Sequence, residues 1–323
     1  MPDFSPSVVI ATRNRAEPLG ECLESIARQT RVPSEVILVD ASDNSSTSEL
    51  AGNLNSGFTC PVRYLPARTK SSAVQRNQGI EIASGNVILF LDDDVVLEPN
   101  FIAEIVRVFE EDSKREVGGV SGIPILPDRV RVHAQPWWLD RFLMRIFASK
   151  EERNYHGRLI GPAINFDPAD LPDTVQPVEW LSGCAMAYRR EALLAERFWE
   201  SFTGYSIGED IHLSARVGRN YRLLNTTRAR LLHKCMGSIT HRDWAGLGES
   251  MVLNRHAITM HVLQRRRLRD YFLLFAFELL YCPVAQIRRP DFPWQANLQL
   301  LWGKLRGVGK LLRGKSPHRV YFS

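Results

Sequence analysis

Three adjacent carboxylates stand at the end of an apolar run in the sequence VILFLDDDVVLEPN. Val87 to Leu91 are all apolar, and Asp92, Asp93 and Asp94 follow directly. Like charges this close repel one another, and burying them without partners costs several kcal/mol at least. A hard divalent cation such as Mg²⁺ or Mn²⁺ would neutralise them, because it prefers oxygen ligands and can bridge to phosphate oxygens. We therefore predict a metal site that holds a pyrophosphate and stabilises the charge on a departing nucleotide. A solvated acidic turn is the alternative.

The elements that must position these carboxylates alternate between strands and helices. Four short runs are rich in Val, Ile and Leu, as strands buried on both faces are: Ser7–Thr12, Glu35–Asp40, Val62–Pro66 and Asn86–Leu91. Apolar residues at helical spacing lie between the first two runs, and residues 71–85 read as a second helix that Gly85 closes. This alternation predicts an α/β fold with a mainly parallel sheet flanked by helices.

Ligands of such sheets bind beyond the carboxyl ends of the strands. Thr12 and Arg15 follow the first strand, Asp40 ends the second, and the three aspartates follow the fourth. We therefore expect these residues to face one cleft. Neither a G-x-G-x-x-G sequence nor a G-x-x-x-x-G-K-[ST] loop follows the first strand, which disfavours a dinucleotide fold and a P-loop enzyme.

Composition and charge narrow the function further. The chain has 323 residues, of which 44% are hydrophobic, and its five cysteines are scattered, which indicates a globular protein of a reducing compartment. The N-terminus lacks the pattern of a secretory leader, and the longest apolar run, Tyr271–Ala285, is too short to span a membrane. Six Lys and Arg residues lie after Phe292 without an acidic residue, whereas the rest of the chain has a net charge of −1. This argues for a local anionic partner and against nucleic-acid binding.

An ordered series of motifs resembles the family 2 glycosyltransferases, which have the GT-A fold. The resemblance covers roughly residues 6 to 240. Its motifs are VVIATRNRAEPLGECLESIARQT, EVILVDASDNSS, SSAVQRNQGIEIASGNVILFLDDDVVLEPNF, WLSGCAMAYRREAL and GEDIHLSARV. Each motif is weak alone, but the ordered set is specific.

The resemblance implies roles for several residues. Thr12 and Asp40 would contact the nucleotide base, and Arg76 and Asn77 lie where the family has an Arg-Asn pair near the donor. We place Arg15 and Asp93 with these donor-binding residues, because both lie at the predicted cleft.

The metal site that the resemblance implies uses the aspartate cluster. Asp92 would lie on the ribose or metal side, and Asp94 would coordinate the metal. His233, at the end of ARLLH, matches a histidine that completes the metal site in some members; a structural histidine is the alternative. The implied cofactor is Mg²⁺ or Mn²⁺.

Glu209 and Asp210, in GED ahead of a helix, are the predicted catalytic residues. Sugar transfer needs a base that accepts the proton of the acceptor hydroxyl, and a carboxylate can serve. In the family this aspartate plays that part, which assigns the base to Asp210. An Asp that caps the helix N-terminus is the simpler interpretation, and the two roles are compatible. The implied mechanism is one displacement with inversion at the anomeric carbon.

The C-terminal region differs in character from the rest. We divide the chain into a nucleotide-sugar transferase domain, residues 1–240, and a helical region, residues 241–323. One face of a predicted helix carries Trp294, Leu298, Leu301, Trp302, Leu305, Val308 and Leu312. A basic helix with such a face is typical of a segment in a membrane interface, although packing onto the protein body is an alternative. The amphipathic segment 136–147 is either core, a substrate lid or a membrane contact.

These inferences predict a metal-dependent inverting glycosyltransferase. It would move a sugar from a nucleotide diphosphate donor, UDP or dTDP with GDP open, to a glycan or lipid-linked acceptor in cell-surface polysaccharide or glycolipid synthesis. It would lie in the cytoplasm, peripherally on the inner face of the cell membrane. A nucleotidyltransferase and a catalytically silent nucleotide-sugar-binding protein are the alternatives. The identity of the sugar, of the acceptor and of any oligomer stays open.

Overall fold

The computed structural model describes residues 4–54, 58–127, 173–202, 207–234, 243–262, 264, 266–281 and 293–314. These residues fall into two compact units. The first unit contains the described residues up to Pro127 and those from 173 to 234, and the second contains those from 243 to 314. The expected amphipathic segment 136–147 lies outside the described residues. The predicted boundary at residue 240 also lies outside the described residues, so this division of the chain stays a prediction.

The described part of the first unit contains one sheet of nine strands. Their order is β3-β2-β1-β4-β8-β6-β9-β5, with β7 paired to β9. The strands are β1 (Pro6–Thr12), β2 (Glu35–Asp40), β3 (Val62–Pro66), β4 (Val87–Asp92), β5 (Val95–Leu97), β6 (Val117–Ile125), β7 (Val175–Pro177), β8 (Ala185–Arg189) and β9 (Arg222–His233).

The predicted α/β fold is confirmed. Strand β1 pairs in parallel with β2 and β4, and β2 pairs in parallel with β3. The other half of the sheet is mixed, because β8 runs antiparallel to both β4 and β6. The parallel half therefore gathers the carboxyl ends of β1, β2 and β4 at one edge, where the predicted site residues stand.

Helices cover both faces of this sheet, which explains why its strands are apolar without alternation. Val8 of β1 packs in one buried cluster with Leu23 and Phe101, whereas Val9 packs in the opposite cluster with Ile80 and Leu213. The helices of this unit are α1 (Ala16–Ala27), α2 (Ser46–Leu54), α3 (Ser72–Ile82), α4 (Phe101–Glu111), α5 (Arg190–Ala195) and α6 (Glu209–Val217).

The second unit is helical, as expected for the C-terminal region. Helix α7 (Trp244–Ala257) continues into a π-helical turn (Ile258–Val262), α8 (Leu268–Ala276) continues into another (Phe277–Tyr281), and α9 (Trp294–Leu312) follows. A buried ion-pair cluster joins them: Glu278 accepts hydrogen bonds from Arg255 Nε at 2.5 Å and from Lys304 Nζ at 2.8 Å. Among the described residues, none of the helices combines the length and the apolar character needed to cross a bilayer.

Candidate active site

Strand register brings the first group of predicted site residues together. Thr12 lies opposite Asp40 in the β1–β2 pair, and Ala11 lies opposite Asp92 in the β1–β4 pair. Thr12, at the end of β1, donates a hydrogen bond from Oγ1 to Oδ2 of Asp93 at 2.7 Å. The parallel strands thus place Thr12, Asp40 and the aspartate cluster at one edge, as the sequence predicted.

Arg15 is one source of the positive charge that the aspartates require. Its guanidinium contacts Oδ1 of Asp93 at 3.0 Å and Oδ2 of Asp94 at 2.7 Å. Both carboxylates are almost completely buried, whereas Arg15 is partly exposed. An arginine fork between two carboxylates offsets their mutual repulsion. Arg15 was predicted as a donor-binding residue, and the structure places it against the acidic cluster itself.

His233, the last residue of β9, reaches the same cluster from a distant part of the sequence. Strand β5, directly after the aspartates, pairs antiparallel with β9, and Val95 lies opposite His233. This pairing places Nε2 of His233 3.3 Å from Oδ1 of Asp94 and 3.9 Å from Oδ2 of Asp92. The backbone N–H of Lys234 also donates to the Asp94 carbonyl at 3.0 Å, which fixes this end of β9.

The neighbouring aspartates have opposite pKa shifts. Burial opposes the ionisation of Asp94, but the hydrogen bond and charge of His233, together with Arg15, outweigh it and lower the pKa to about 2. Burial raises the pKa of Asp93 to about 7, against the opposing effects of Arg15 and the Thr12 hydroxyl. Asp94 is therefore a fixed negative charge at neutral pH, as a metal ligand should be.

The arrangement fits a divalent cation. Asp92, Asp94 and His233 each offer one ligand atom, and the three atoms lie within 4.8 Å of one another. Arg15 contacts Oδ2 of Asp94, while His233 faces Oδ1, so the arginine and the histidine engage different oxygens of one carboxylate. Two carboxylates with one imidazole suit Mn²⁺, and Mg²⁺ accepts the carboxylates.

Asp210 lies in the first turn of α6, close to the loop before β8. Its Oδ2 accepts a hydrogen bond from the Gly183 N–H at 3.0 Å, and Oδ1 accepts one from the Ile211 N–H at 2.8 Å. The N-cap of α6 is Gly208, with a φ of 84°, so Asp210 is not the capping residue. Burial raises the pKa of Asp210 despite these two hydrogen bonds, which makes its carboxylate a stronger base.

Arg76 connects the acidic cluster with the start of α6. Its guanidinium contacts Asp92 at 3.0 Å and pairs with Glu209, and it donates to the Gly183 carbonyl at 3.3 Å. Ser72 also donates to Glu209, at 2.9 Å. Burial raises the pKa of Glu209 to about 7, although the charge of Arg76 opposes this. Glu209 thus holds Arg76 between Asp92 and the start of α6.

Two predicted donor-binding residues, Asp40 and Asn77, differ in where the structure places them. Asp40 accepts hydrogen bonds from the Ser42 N–H at 2.9 Å and from the Tyr64 hydroxyl at 3.0 Å, at the edge that carries Thr12. Asn77 donates to the Phe198 carbonyl at 2.9 Å and accepts from the Phe198 N–H at 3.0 Å. The structure therefore brings Asp40 to the site edge, whereas the amide of Asn77 holds the segment around Phe198.

Sequence patterns missed three supporting residues. Gly183 holds both Asp210 and Arg76 through its backbone, Ser72 holds Glu209, and Gln75 donates to the carbonyls of Thr12 and Val39 at 2.9 and 2.7 Å. A sequence signal existed for the last two, because Ser72 and Gln75 are polar residues in a helix that was expected to pack on the sheet. Nothing in the sequence marks a backbone donor such as Gly183.

Solved structures share this fold. A mannosyltransferase from Pyrobaculum calidifontis, solved with GDP-Man and Mn²⁺, superposes with a TM-score of 0.55 at 16% identity, covering 98% of this chain and 83% of that one. GalNAc-T7, solved with UDP, GalNAc and Mn²⁺, superposes with a TM-score of 0.59 at 14% identity, covering 97% and 58%. At such identities the likeness shows the fold alone, which is that of the GT-A proteins.

A sequence comparison assigns the chain to one family among the proteins with this fold. A sequence model of the family described as "Glycosyl transferase family 2" matches residues 7–169, about half of the chain. The chain therefore belongs to this family, as the motifs predicted.

Curated relatives match over different lengths. The glycosyltransferase GlyG of Streptococcus pneumoniae is 34% identical over 119 residues, 35% of this chain and 38% of that protein. The glycosyltransferase YwdF of Bacillus subtilis is 36% identical over 107 residues, 32% of this chain and again 38% of the relative. The chain thus spans less than two fifths of their length. A glucosyl-dolichyl phosphate glucuronosyltransferase of Haloferax volcanii is 25% identical over 250 residues, 74% of this chain and 72% of that protein.

Proposed function

We propose that the protein is a metal-dependent, inverting glycosyltransferase that uses a nucleotide diphosphate sugar. The observation that carries the proposal is the cluster of Asp92, Asp94 and His233 at the carboxyl edge of the sheet, linked through Arg76 to the segment that holds the half-buried Asp210. One group of residues can hold a cation beside a diphosphate, and the other can accept a proton. Transfer of a sugar from a nucleotide needs both functions.

Asp210 is the proposed catalytic base. Its carboxylate accepts the proton of the acceptor hydroxyl while that oxygen forms a bond to the anomeric carbon. The bond from this carbon to the diphosphate oxygen breaks on the opposite side, and its electron pair leaves with the nucleotide. One displacement of this kind inverts the configuration, so no second nucleophilic carboxylate is required.

The other site residues position these groups. Arg15 and His233 engage the two oxygens of Asp94, which fixes the orientation of the proposed metal ligand. Arg76 and Ser72 hold Glu209, which fixes the first turn of α6 and with it Asp210. When bound, Mg²⁺ or Mn²⁺ would supply positive charge for the departing diphosphate. Thr12 and Asp40 are the proposed contacts of the nucleotide base.

The donor and the acceptor are proposed from chemistry and likeness. The two structural neighbours were solved with GDP-Man or with UDP, each with Mn²⁺, which supports a nucleotide diphosphate donor. UDP or dTDP is our proposed carrier, with GDP as the next candidate. The Haloferax relative is named for a lipid-linked acceptor, which supports a lipid-linked or glycan acceptor here. The proposed setting is cell-surface polysaccharide or glycolipid synthesis at the inner face of the cell membrane.

The experiment that tests this function is a turnover screen. The purified protein is incubated with UDP-, dTDP- and GDP-linked sugars and a membrane lipid extract as acceptor, with Mn²⁺, with Mg²⁺ or with a chelator, and release of the nucleoside diphosphate is measured. We expect one donor to be consumed only when a divalent cation is present. The anomeric configuration of the product, read by NMR, should be inverted relative to the donor.

The same screen, extended to nucleoside triphosphates with sugar 1-phosphates, separates the alternatives. A nucleotidyltransferase would release pyrophosphate from a nucleoside triphosphate and a sugar 1-phosphate, and would leave the nucleotide sugars intact. A silent binding protein would bind one donor but would not consume it with any cation. Either result would contradict the proposed transferase.

A further inference from the structure

Helix α9 packs on α7 through a narrow face of small residues. An ideal Cβ on Gly303 would lie 1.9 Å from the Ala245 carbonyl oxygen, and one on Gly248 would lie 2.2 Å from that of Leu300. The two backbones therefore approach too closely for larger side chains. Lys304, completely buried, also binds Glu278 from this side of α9. These contacts fix the rotation of α9 about its own axis.

The fixed rotation leaves a large apolar surface of α9 exposed, which we name the Trp–Leu face. Its five side chains are between 48% and 80% exposed: Trp294, Leu298, Trp302, Leu305 and Leu312. Helix α8 carries two further exposed apolar residues, Leu268 and Phe272. Single exposed apolar residues are normal, but a stripe of five along one helix marks an interaction surface. Packing of this face onto the protein body, the alternative to a membrane interface, does not agree with the exposure of these five side chains.

Charge identifies the partner of this surface. Residues 237–323 contain 14 Lys and Arg residues but only five Asp and Glu residues, a net charge of +9, which leaves the rest of the chain at −4. Helix α9 contains no acidic residue. Arg266, Arg267 and Arg269, at the start of α8, are exposed beside Leu268, and Arg313 is exposed at the end of α9. Helices that expose basic side chains together with Trp and Leu residues suit an anionic phospholipid surface.

We propose that the Trp–Leu face lies in the headgroup region of a membrane that contains anionic phospholipid. The tryptophans and leucines enter the boundary of the acyl chains, and the arginines of α8 and α9 contact the lipid phosphates. A second copy of this chain is a poorer partner, because it would bring a second positively charged region to the same surface. The inference goes beyond sugar transfer and does not rest on it.

Vesicle binding tests the inference directly. The full chain is co-sedimented with vesicles of phosphatidylcholine alone, or of phosphatidylcholine and phosphatidylglycerol in equal parts. We expect binding to the mixed vesicles, weakened by added salt, and a blue shift of tryptophan emission on binding. The double variant Trp294→Gln, Trp302→Gln should bind the mixed vesicles roughly tenfold more weakly or worse. Leu194→Gln, which changes an exposed leucine of the first unit, is the matched control and should bind normally.

A second pair of variants tests the charge. Arg269→Gln with Arg313→Gln should weaken binding to the anionic vesicles by roughly tenfold. Arg28→Gln with Arg222→Gln removes two exposed arginines of the first unit and should leave binding unchanged. All changed side chains are exposed, so circular dichroism should show the fold of each variant unaltered.

Three outcomes would overturn the inference. The unaltered chain fails to bind the anionic vesicles, or the tryptophan variant binds them as well as the unaltered chain. Alternatively, sedimentation velocity without vesicles shows a dimer that the tryptophan changes dissociate, which would assign the face to a second copy. Nucleotide binding by the same preparations reports separately on the proposed transferase site.

Discussion

Replacement of Asp210 by asparagine separates a catalytic base from a structural carboxylate. The amide has nearly the same shape, so it can still accept one of the two backbone hydrogen bonds from Gly183 and Ile211, but it cannot accept a proton. Loss of general-base catalysis lowers rates by roughly 10²- to 10⁴-fold, which corresponds to about 3–5 kcal/mol of transition-state stabilisation. We expect kcat to fall by this factor in the turnover screen.

The structural cost of the same change should be small. One backbone N–H loses a charged acceptor, which costs about 1.5–3 kcal/mol, and the release of a buried charge offsets part of that cost. Asp243→Asn is the matched control, because Asp243 also stands at a helix start and accepts the Gly246 N–H at 2.7 Å. The control variant should keep full activity. The dissociation constant for the donor nucleotide, measured by calorimetry, should be unchanged in Asp210→Asn, since the base acts on the acceptor.

The pH profile gives an independent check. Only the ionised form of Asp210 accepts a proton, and burial raises its pKa. The rate of the unaltered protein should therefore rise with pH through this pKa and then level off. In Asp210→Asn that rising limb should disappear. If Asp210→Asn retained activity within a factor of a few of the unaltered protein, or lost nucleotide binding instead of turnover, the assignment of the base to Asp210 would be refuted.

Three further predictions follow from the described contacts. In Gly183→Ala the new Cβ would lie 3.2 Å from Oδ2 of Asp210, so the carboxylate must shift, and kcat should fall several-fold while nucleotide binding by calorimetry stays constant. Glu278→Gln leaves the fully buried Lys304 with an uncompensated charge and should lower the free energy of unfolding by about 3–5 kcal/mol in a denaturant titration, whereas adding Lys304→Met should restore part of it. Burial opposes ionisation of Glu278, but the charges of Arg255 and Lys304 outweigh burial and lower the pKa of Glu278. The ionised carboxylate therefore stabilises the fold at neutral pH, and this stabilisation should disappear as the pH falls below the ordinary pKa of a glutamate. A thermal melting temperature of the unaltered protein that stays constant from neutral to acid pH would contradict this prediction.

The parallel half of the fold was predictable because its strands are buried on both faces. Such strands are continuous apolar runs, and the four runs predicted from the sequence correspond to β1 to β4 within a residue at each end. Their carboxyl ends meet at one edge by topology alone, which is why Thr12, Asp40 and the aspartates were predicted together.

The mixed half was harder to predict because buried polar residues interrupt its patterns. The leucine-rich runs RLLN and ARLLH both lie in the single strand β9, although three other residues separate them in the sequence. Asn225 lies inside it, buried, and donates to Ser121 Oγ at 2.9 Å and to the Gly122 carbonyl at 3.1 Å. Gly85 was expected to close α3, but this helix ends at Ile82. A Cβ added to Gly85 would lie 2.3 Å from the Ser5 carbonyl oxygen. Tertiary contacts determine both features, and they leave no periodic signal in the sequence.

The site was predictable in its chemistry more than in its contacts. Three adjacent carboxylates required positive charge, and the structure provides Arg15 and His233 beside the proposed cation. His233 reaches them only through the antiparallel pairing of β5 with β9, a contact between two segments that lie far apart in the sequence. The pairing of Arg76 with Asp92 and Glu209 likewise depends on the packing of α3 under the sheet edge. Motif resemblance named these residues, but only the fold shows how they hold one another.

The most direct measurement of the proposed function is a calorimetric titration of UDP, dTDP and GDP into the protein, with and without Mn²⁺. The titration is repeated with Asp94→Ala and with the control Asp173→Ala, which removes an exposed carboxylate of the first unit. We expect one nucleotide to bind, more tightly with Mn²⁺, and we expect Asp94→Ala but not Asp173→Ala to abolish the effect of the metal. A metal-dependent nucleotide-sugar site at the aspartate cluster would be contradicted if none of the three nucleotides bound, with or without Mn²⁺. It would also be contradicted if a nucleotide bound but neither Mn²⁺ nor Asp94→Ala altered its binding.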